Sequence, residues 1–161
     1  MSAPVVHPFQ PLERARAEAV LARNHVGRIA YARRGRLDVE PVLYTLADGW
    51  LWARTSYGRA WAALGEGDAH GSPVVFEVDE VDDGFRWRSV VVRGTLYPVE
   101  HPGDGGDPAM WVHAVELVRA ADPRGGVQSP SALRTSLVRI EVREAEGREG
   151  AAGAGPGAPG A

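Results

Sequence analysis

Three β-type segments follow one another with only short glycine turns between them, in the stretch VGRIAYARRGRLDVEPVLYTLADGWLWART, residues 26–55. Each segment is rich in β-branched and aromatic residues, which fit a pleated, half-buried surface. The interruptions RRGR and ADG each supply a glycine, Gly35 or Gly49, that tolerates the positive φ of a tight hairpin turn. The sequence therefore predicts an antiparallel meander of three strands.

Further elements flank this meander. Two more strands are predicted in VVFEVDEV and FRWRSVVVRGTLYPV, and a sixth in ALRTSLVRIEVRE. A helix is predicted from Pro108 through AMWVHAVELVRAA, since proline suits a first helical turn. An amphipathic helix is predicted before the meander, ending near Asn24 and His25, because four apolar residues recur at helical spacing: Leu12, Ala15, Ala19 and Ala22.

Six short strands in an open sheet would leave edges exposed to other chains. We therefore expect a mainly β fold: a small closed or split antiparallel barrel of six strands, with an N-terminal helix and one or two peripheral helices. The barrel domain is predicted to span residues 1–146. Residues 147–161, GREGAAGAGPGAPGA, have no side chain that would anchor them to a core, so a disordered, dispensable tail is predicted there.

Composition excludes several functional classes. The 18 basic residues are all arginine and cysteine is absent, which removes lysine Schiff bases, phosphate-loop lysines and cysteine-ligated metals. Interspersed charges with a net charge of −3 provide no basic stripe for nucleic acid. The five histidines lack metal-ligand spacing, so no metal is predicted. No stretch resembles a signal peptide or a membrane span, and a cytoplasmic protein is expected.

The stretch LWARTSYGRAWAAL, residues 51–64, is the strongest candidate for a ligand site. A predicted strand ends in Arg54, Thr55 and Ser56, and a helix is predicted to open at Arg59 after Gly58. Guanidinium groups, hydroxyls and the free N–H groups of a helix N-terminus are all donors that a phosphate accepts. The alternative is a helix capped by serine or threonine, with solvated arginines.

The order of these segments resembles that of the pyridoxamine 5'-phosphate oxidase-like, FMN-binding split-barrel superfamily. The segments that carry the resemblance are VGRIAY, GRLDVEPVLYTLADGWLWARTSYGRAWAAL, VVFEVDEVD and WRSVVVRGTLYPV. Within that superfamily the chain is most similar to the small actinobacterial-type and nitroimidazole-reductase-like members.

This resemblance implies a six-stranded, antiparallel, Greek-key split barrel. It also implies a homodimer with two flavin sites at its interface. It implies that Arg54, Thr55, Ser56 and Arg59 hold the FMN phosphate, and that the isoalloxazine ring lies along Pro41, Val42, Leu43 and Tyr44. Trp87, Arg88 and Ser89 are expected to approach the cofactor from the second subunit. Arg54 stands where nitroimidazole-reductase relatives tend to have histidine, so antibiotic reduction is not carried over.

The implied activity is flavin-dependent oxidoreduction, in which hydride from NAD(P)H reaches FMN and passes to a small-molecule acceptor. No catalytic side chain is assigned, because the sequence isolates no general acid or base. Two alternatives remain open. One is a reductase that uses the deazaflavin coenzyme, whose polyglutamyl tail would contact Arg33, Arg34 and Arg36. The other is a non-catalytic module that binds flavin or haem.

Overall fold

The computed structural model describes residues 9–55, 71–82, 86–122 and 136–150. The helices are α1 (Arg14–Arg23) and α2 (Pro108–Ala121), and a 3-10 turn spans Pro102–Asp104. The strands are β1 (Gln10–Leu12), β2 (Val26–Arg33), β3 (Arg36–Ala47), β4 (Trp50–Thr55), β5 (Ser72–Val81), β6 (Trp87–Val99) and β7 (Ser136–Gly150).

The strands form one antiparallel sheet that closes on itself. Their order is β1-β7-β4-β3-β2-β5-β6, and a further pairing between β7 and β6 completes the barrel. The predicted antiparallel barrel with its two helices is confirmed. The seventh strand, β1, is a short addition that precedes α1, and among the described strands it pairs with β7 alone.

Both predicted hairpin turns are present. Arg34 and Gly35 connect β2 to β3 with φ values of 48° and 77°, and Asp48 and Gly49 connect β3 to β4 with φ values of 53° and 79°. Positive φ at both central residues is the conformation whose twist matches that of the flanking strands. These turns fix the register of the meander, in which Leu43 of β3 lies opposite Arg54 of β4.

The face of α1 that packs on the barrel differs from the prediction. Its buried residues are Ala17, Val20 and Leu21, whereas Ala15, Ala19 and Ala22 are exposed. The larger Val20 and Leu21 remove more apolar surface from water than alanine methyl groups do, and so they determine the face. The helix ends at Arg23, where the Asn24 side chain donates a hydrogen bond to the Val20 carbonyl.

Strand β7 runs four residues past the predicted domain boundary. Gly147 pairs with Leu12 of β1 and with Val90 of β6, and Glu149 accepts two hydrogen bonds from Arg16. The prediction of disorder is therefore wrong for residues 147–150. Gly147 is needed there because a Cβ would press against the side chains of Leu12 and Ala17. Residues 151–161 lie outside the described part of the chain.

An ion-pair cluster ties α1 to the sheet at the end of the barrel that carries β1. Glu80 on β5 accepts hydrogen bonds from Arg23, Asn24 and Arg88, and Arg88 also approaches Glu149 at 3.6 Å. The hydrogen bond from Arg23 is the largest of the effects that lower the pKa of Glu80 to about 2. The carboxylate therefore stays ionised and holds these elements together over the whole physiological pH range.

Candidate functional site

Strand β4 carries the candidate phosphate-binding arginine at its end. Alternation along the strand places Leu51 and Ala53 in the barrel core, while Trp50 and Trp52 pack on the opposite, outer side beneath α2. Arg54 shares that outer side and lies in register between Leu43 of β3 and Leu137 of β7. The guanidinium is thus mounted on a rigid strand beside apolar neighbours.

Arg54 is half-buried and makes no hydrogen bond or ion pair with the protein, as judged over residues 9–55, 71–82, 86–122 and 136–150. Arg16, Arg23 and Arg28, in contrast, each contact a carboxylate at the surface. A guanidinium that is partly withdrawn from water without a counter-ion is suited to receive an anionic group from a ligand.

The other predicted phosphate ligands divide into two groups. Thr55 is buried, with 2% of its surface exposed, and pairs with Ser136 of β7 in the sheet. Ser56 and Arg59, together with the helix predicted to open at Arg59, lie outside the described residues. Alternation along β4 places the Thr55 side chain on the core side with Leu51 and Ala53, opposite to Arg54, so the described part of this motif offers Arg54 alone on the outer side.

The four residues predicted along the flavin ring point to opposite sides of β3. Val42 and Tyr44 are buried in the barrel core, where the Tyr44 hydroxyl donates to the Leu21 carbonyl. Pro41 and Leu43 alternate with them and share the outer side with Arg54. Leu43 packs against the apolar cluster beneath α2. A ring on the outer side would therefore meet Pro41 and the part of Leu43 that this cluster leaves exposed, and only the backbone of the other two residues.

Trp87 and Ser89 lie at the far end of the barrel from Arg54 within one protomer. Arg54 pairs with Leu137 of β7, and Leu137 pairs in turn with Val99 of β6. Val99 and Trp87 are the two opposite ends of β6. The intervening strand is about 40 Å long if fully extended. Trp87 packs against Phe9 with ring centroids 5.2 Å apart, and the Ser89 hydroxyl donates to Glu77. One protomer therefore does not bring these two residues to its own Arg54.

A second half-buried arginine, Arg139, was not among the site residues predicted from the sequence. The guanidinium carbon of Arg139 on β7 lies 4.5 Å from the centroid of the Trp50 ring and 5.8 Å from that of Tyr97. Within the part of the chain that the structure describes, its Nε is buried without a hydrogen-bond partner. The sequence signal was an arginine among apolar residues in SLVRIEV, but its aromatic neighbours come from two distant strands.

An apolar face occupies the outer side of β2, β3 and β5, and we define it by Val26, Leu37, Val39 and Val75. Leu37 is 85% exposed and Val39 64% exposed. Val39 and Val75 lie on either side of Ala30 in the sheet, and Pro41 continues the face towards Arg54. Arg28, which contacts Glu77 and Asp79, separates Val26 from Ala30 along β2, so the face is bordered by charge. An exposed apolar surface rimmed by polar residues is typical of an interaction site.

The described residues give no indication of a metal site or a membrane span. No group of three or more histidine, aspartate or glutamate side chains is placed to hold a metal ion there. Within the same residues, no helix has the length and apolar character needed to cross a bilayer. His25 and His101 instead contact backbone groups, the Tyr44 carbonyl and the Gly103 N–H.

Comparison with solved structures supports the split-barrel fold. A FAD-binding protein from Mesorhizobium loti matches with 26% identity and a TM-score of 0.69, over 89% of this chain and 99% of that one. A FAD-binding protein from Mycobacterium smegmatis matches with 21% identity and a TM-score of 0.67, over 89% and 100%. A FAD- and haem-binding protein from the same organism matches with 19% identity and a TM-score of 0.62, over 95% and 77%.

Sequence comparison identifies the family. A search of curated proteins finds no match to this sequence. The family model described as pyridoxamine 5'-phosphate oxidase matches residues 13–149, which includes every described element from α1 to the end of β7 except the last residue of that strand. The chain belongs to the pyridoxamine 5'-phosphate oxidase family.

Proposed function

We propose that the protein binds FMN on the outer side of β3 and β4 and acts as a flavin-dependent oxidoreductase. The observation that carries this proposal is Arg54, a half-buried arginine that has no counter-ion among the described residues and lies next to Leu43 on the outer side. The family match and the flavin named for several similar structures support the same choice of ligand.

Each candidate residue has a defined task in this proposal. Arg54 neutralises the phosphate, with Ser56 and Arg59 as further donors, while Thr55, buried on the core side of β4, holds the end of the strand in place. Pro41 and Leu43 offer an apolar surface to the flavin ring, alongside the backbone of Val42 and Tyr44. Bound FMN supplies the redox chemistry by accepting hydride from NAD(P)H and reducing a small acceptor. The protein positions these groups, and the proposed compartment is the cytoplasm.

The absorption spectrum of the purified protein gives the first test. We expect a flavin spectrum, either as isolated or after addition of FMN and removal of the excess. Parallel titrations with FAD and with the deazaflavin coenzyme identify the preferred cofactor. Tighter binding of either compound would replace FMN in the proposal. A flavin-loaded protein that oxidises NAD(P)H no faster than free FMN does would indicate a non-catalytic binding module.

Replacing Arg54 with alanine should weaken FMN binding by about 1.5–3 kcal/mol, which is the usual contribution of a charge-assisted hydrogen bond and corresponds to roughly a 10- to 150-fold higher Kd. The measurement is a titration of FMN fluorescence. Arg119→Ala is the matched control, because Arg119 is an exposed arginine on α2 with no ion pair among the described residues. Equal Kd values for the wild type and Arg54→Ala would refute this phosphate site.

We also propose that a second copy of the chain covers the apolar face. The face adjoins Pro41, so a partner placed there would lie beside the proposed flavin site. Trp87 and Ser89 are far from Arg54 within one protomer, and a two-fold arrangement allows the partner copy to supply them. The proposed binding site is therefore complete only in the homodimer.

Replacing Val39 with aspartate should convert the dimer to a monomer and release the flavin, because a charge would then be buried in the interface without a partner. Light scattering at micromolar concentration measures the mass, and ultrafiltration followed by absorption measures retained flavin. Val112→Asp is the control, since Val112 is also an exposed valine but lies on α2, with 52% of its surface exposed. A wild-type protein that is monomeric would exclude the shared site.

A further inference from the structure

Strand β7 has an unpaired stretch along one of its edges. On that edge β4 pairs with residues 136–141 and β1 pairs with residues 147–149. Residues 142–146 lie between them and, among the described strands, have a neighbour only on the opposite edge, where β6 runs. Alternate residues of such a stretch direct their backbone N–H and C=O groups away from the sheet. The sheet therefore lacks a short length of strand between β1 and β4.

A β-bulge accounts for this gap. The pairing of β6 with β7 shifts register between Arg93 and Gly94, which leaves Arg143 of β7 without a residue opposite it. An extra residue of this kind bends its strand and increases the local twist. The bend follows directly after Glu141, where the pairing of β7 with Trp50 of β4 ends. The bulge thus separates β4 from β1 and opens the edge.

The open edge lies in a groove between β1, α1, β7 and the turn that connects β3 to β4. Three apolar side chains of the groove, those of Leu46, Val142 and Ala145, pack against the barrel core and remain partly exposed. Its volume is about 1170 Å³, which is larger than the roughly 300–1,000 Å³ of a typical small-molecule pocket. The groove therefore offers unpaired backbone and apolar surface over the length of a short peptide.

The charges around the groove compensate one another. Among the described residues, three arginines and three glutamates line it. The ion pairs that involve these side chains are Arg14 with Glu18, Arg143 with Glu141, and Arg93 with both Glu144 and Glu146. The remaining arginine, Arg148, offsets the second of the two carboxylates that share Arg93. Charge complementarity therefore favours an uncharged occupant, because an added charge would leave water without a counter-ion.

From these features we propose that the groove binds an extended, uncharged peptide segment of another protein, which adds to β7 as a short strand. Its backbone pairs with residues 142–146, and its alternate apolar side chains contact Leu46, Val142 and Ala145. Because β1 and β4 both run antiparallel to β7, the added segment runs in their direction and fills the space between them. This site goes beyond the proposed flavin chemistry and is independent of it.

Calorimetric titration with the peptide acetyl-Val-Thr-Val-Thr-Val-amide tests the site, because its residues favour an extended strand. Two analogues carry N-methyl groups on alternate residues, each along a different edge of the peptide. Only one edge can pair with β7, so one analogue should bind at least about tenfold more weakly and the other like the parent peptide. Ala145→Gln, which fills the groove, should weaken binding similarly, whereas Ala120→Gln on the exposed side of α2 should not.

Amide hydrogen exchange of the full chain locates the binding strand. In the free protein the groove-facing amides of residues 142–146 should exchange rapidly, and the parent peptide should slow them about tenfold or more. Slow exchange in the free protein overturns the proposal. If dilution left that slow exchange unchanged, a segment of the same chain would cover the edge, and if dilution accelerated it, a second copy would.

The peptide analogues keep the test independent of any damage that Ala145→Gln does to the fold. Equal binding of the two methylated analogues, or exchange rates that the parent peptide leaves unchanged, overturns strand addition. Tighter binding of a peptide whose central valine is replaced by lysine or aspartate overturns the uncharged occupant. FMN-loaded and flavin-free protein should give the same peptide Kd, since Arg54 pairs with Leu137, outside the groove. The two proposals therefore fail separately.

Discussion

A chain truncated after Glu146 is expected to lose on the order of 3–5 kcal/mol of its free energy of unfolding, because each lost backbone hydrogen bond removes about 1 kcal/mol of net stabilisation. Residues 147–150 pair with β6 on one side, and three of them pair with β1 on the other. β1 has no other partner in the described sheet, and the buried Leu12 would lose the surface on which it packs. The damage therefore extends beyond the residues removed.

A second truncation, after Gly150, is the matched control, since it keeps every residue that the structure describes. Urea denaturation followed by tryptophan fluorescence gives the midpoint and slope for both chains. We expect the chain that ends at Gly150 to unfold at the wild-type midpoint. If truncation after Glu146 also left the midpoint unchanged, the pairings of residues 147–150 with β1 and β6 would contribute nothing to the free energy of unfolding.

Replacing Gly94 with alanine should destabilise the barrel by about 3 kcal/mol, near the upper end of the usual range for an overpacked site. Gly94 lies at a β-bulge between β6 and β7, where the pairing of the two strands shifts register. A Cβ at this position would overlap the carbonyl oxygen of Glu141 and crowd the Ile140 side chain. The two strands would have to separate at the place where the barrel closes.

The control for Gly94→Ala is Gly103→Ala in the exposed 3-10 turn. There the new methyl group would meet only the exposed His101 ring, which can move aside. Chemical denaturation of both variants should therefore show a large loss for the first and less than about 1 kcal/mol for the second, as for most surface substitutions. A Gly94→Ala variant as stable as the wild type would mean that β6 and β7 tolerate a wider spacing.

Local signals explain the parts of the fold that the sequence predicts well. The RRGR and ADG turns depend on two adjacent residues each, and their positive φ values need only a glycine and a residue that tolerates the same conformation. The strand segments follow from β-branched and aromatic residues in the same way. Closure of the sheet into a barrel was predictable because six short strands need to hide their edges.

The predictions that were wrong concern residues whose burial or pairing depends on an element distant in the sequence. The three alanine positions, Ala15, Ala19 and Ala22, indicated the wrong face of the N-terminal helix, because Val20 and Leu21 gain more from burial against the sheet. Leu12 is buried, but as part of β1 and not of the helix. The sequence predicted Gly147 to be part of a flexible tail. In the structure Leu12 and Ala17 pack closely against it, which a side chain at this position would prevent. In each case the deciding contact joins segments far apart in the sequence.

In the candidate site, too, local sequence signals were sufficient for some residues and not for others. Arg54 was identifiable because a strand end, two hydroxyls and a glycine lie next to one another in the sequence. Arg139 was not, since its significance depends on Trp50 and Tyr97, which the sheet places beside it from two other strands. The position of Trp87 at the far end of β6 likewise required the register of the folded sheet.

The place of β7 in the sheet also bears on how the protein is made. This strand is the last of the described elements, yet it pairs with β1, β4 and β6. While a ribosome is still synthesising the chain, the edges of β4 and β6 have no partner until residues 136–150 emerge. Open strand edges attract other chains and long-range pairings form slowly. Nascent chains should therefore depend on chaperones until synthesis has passed β7.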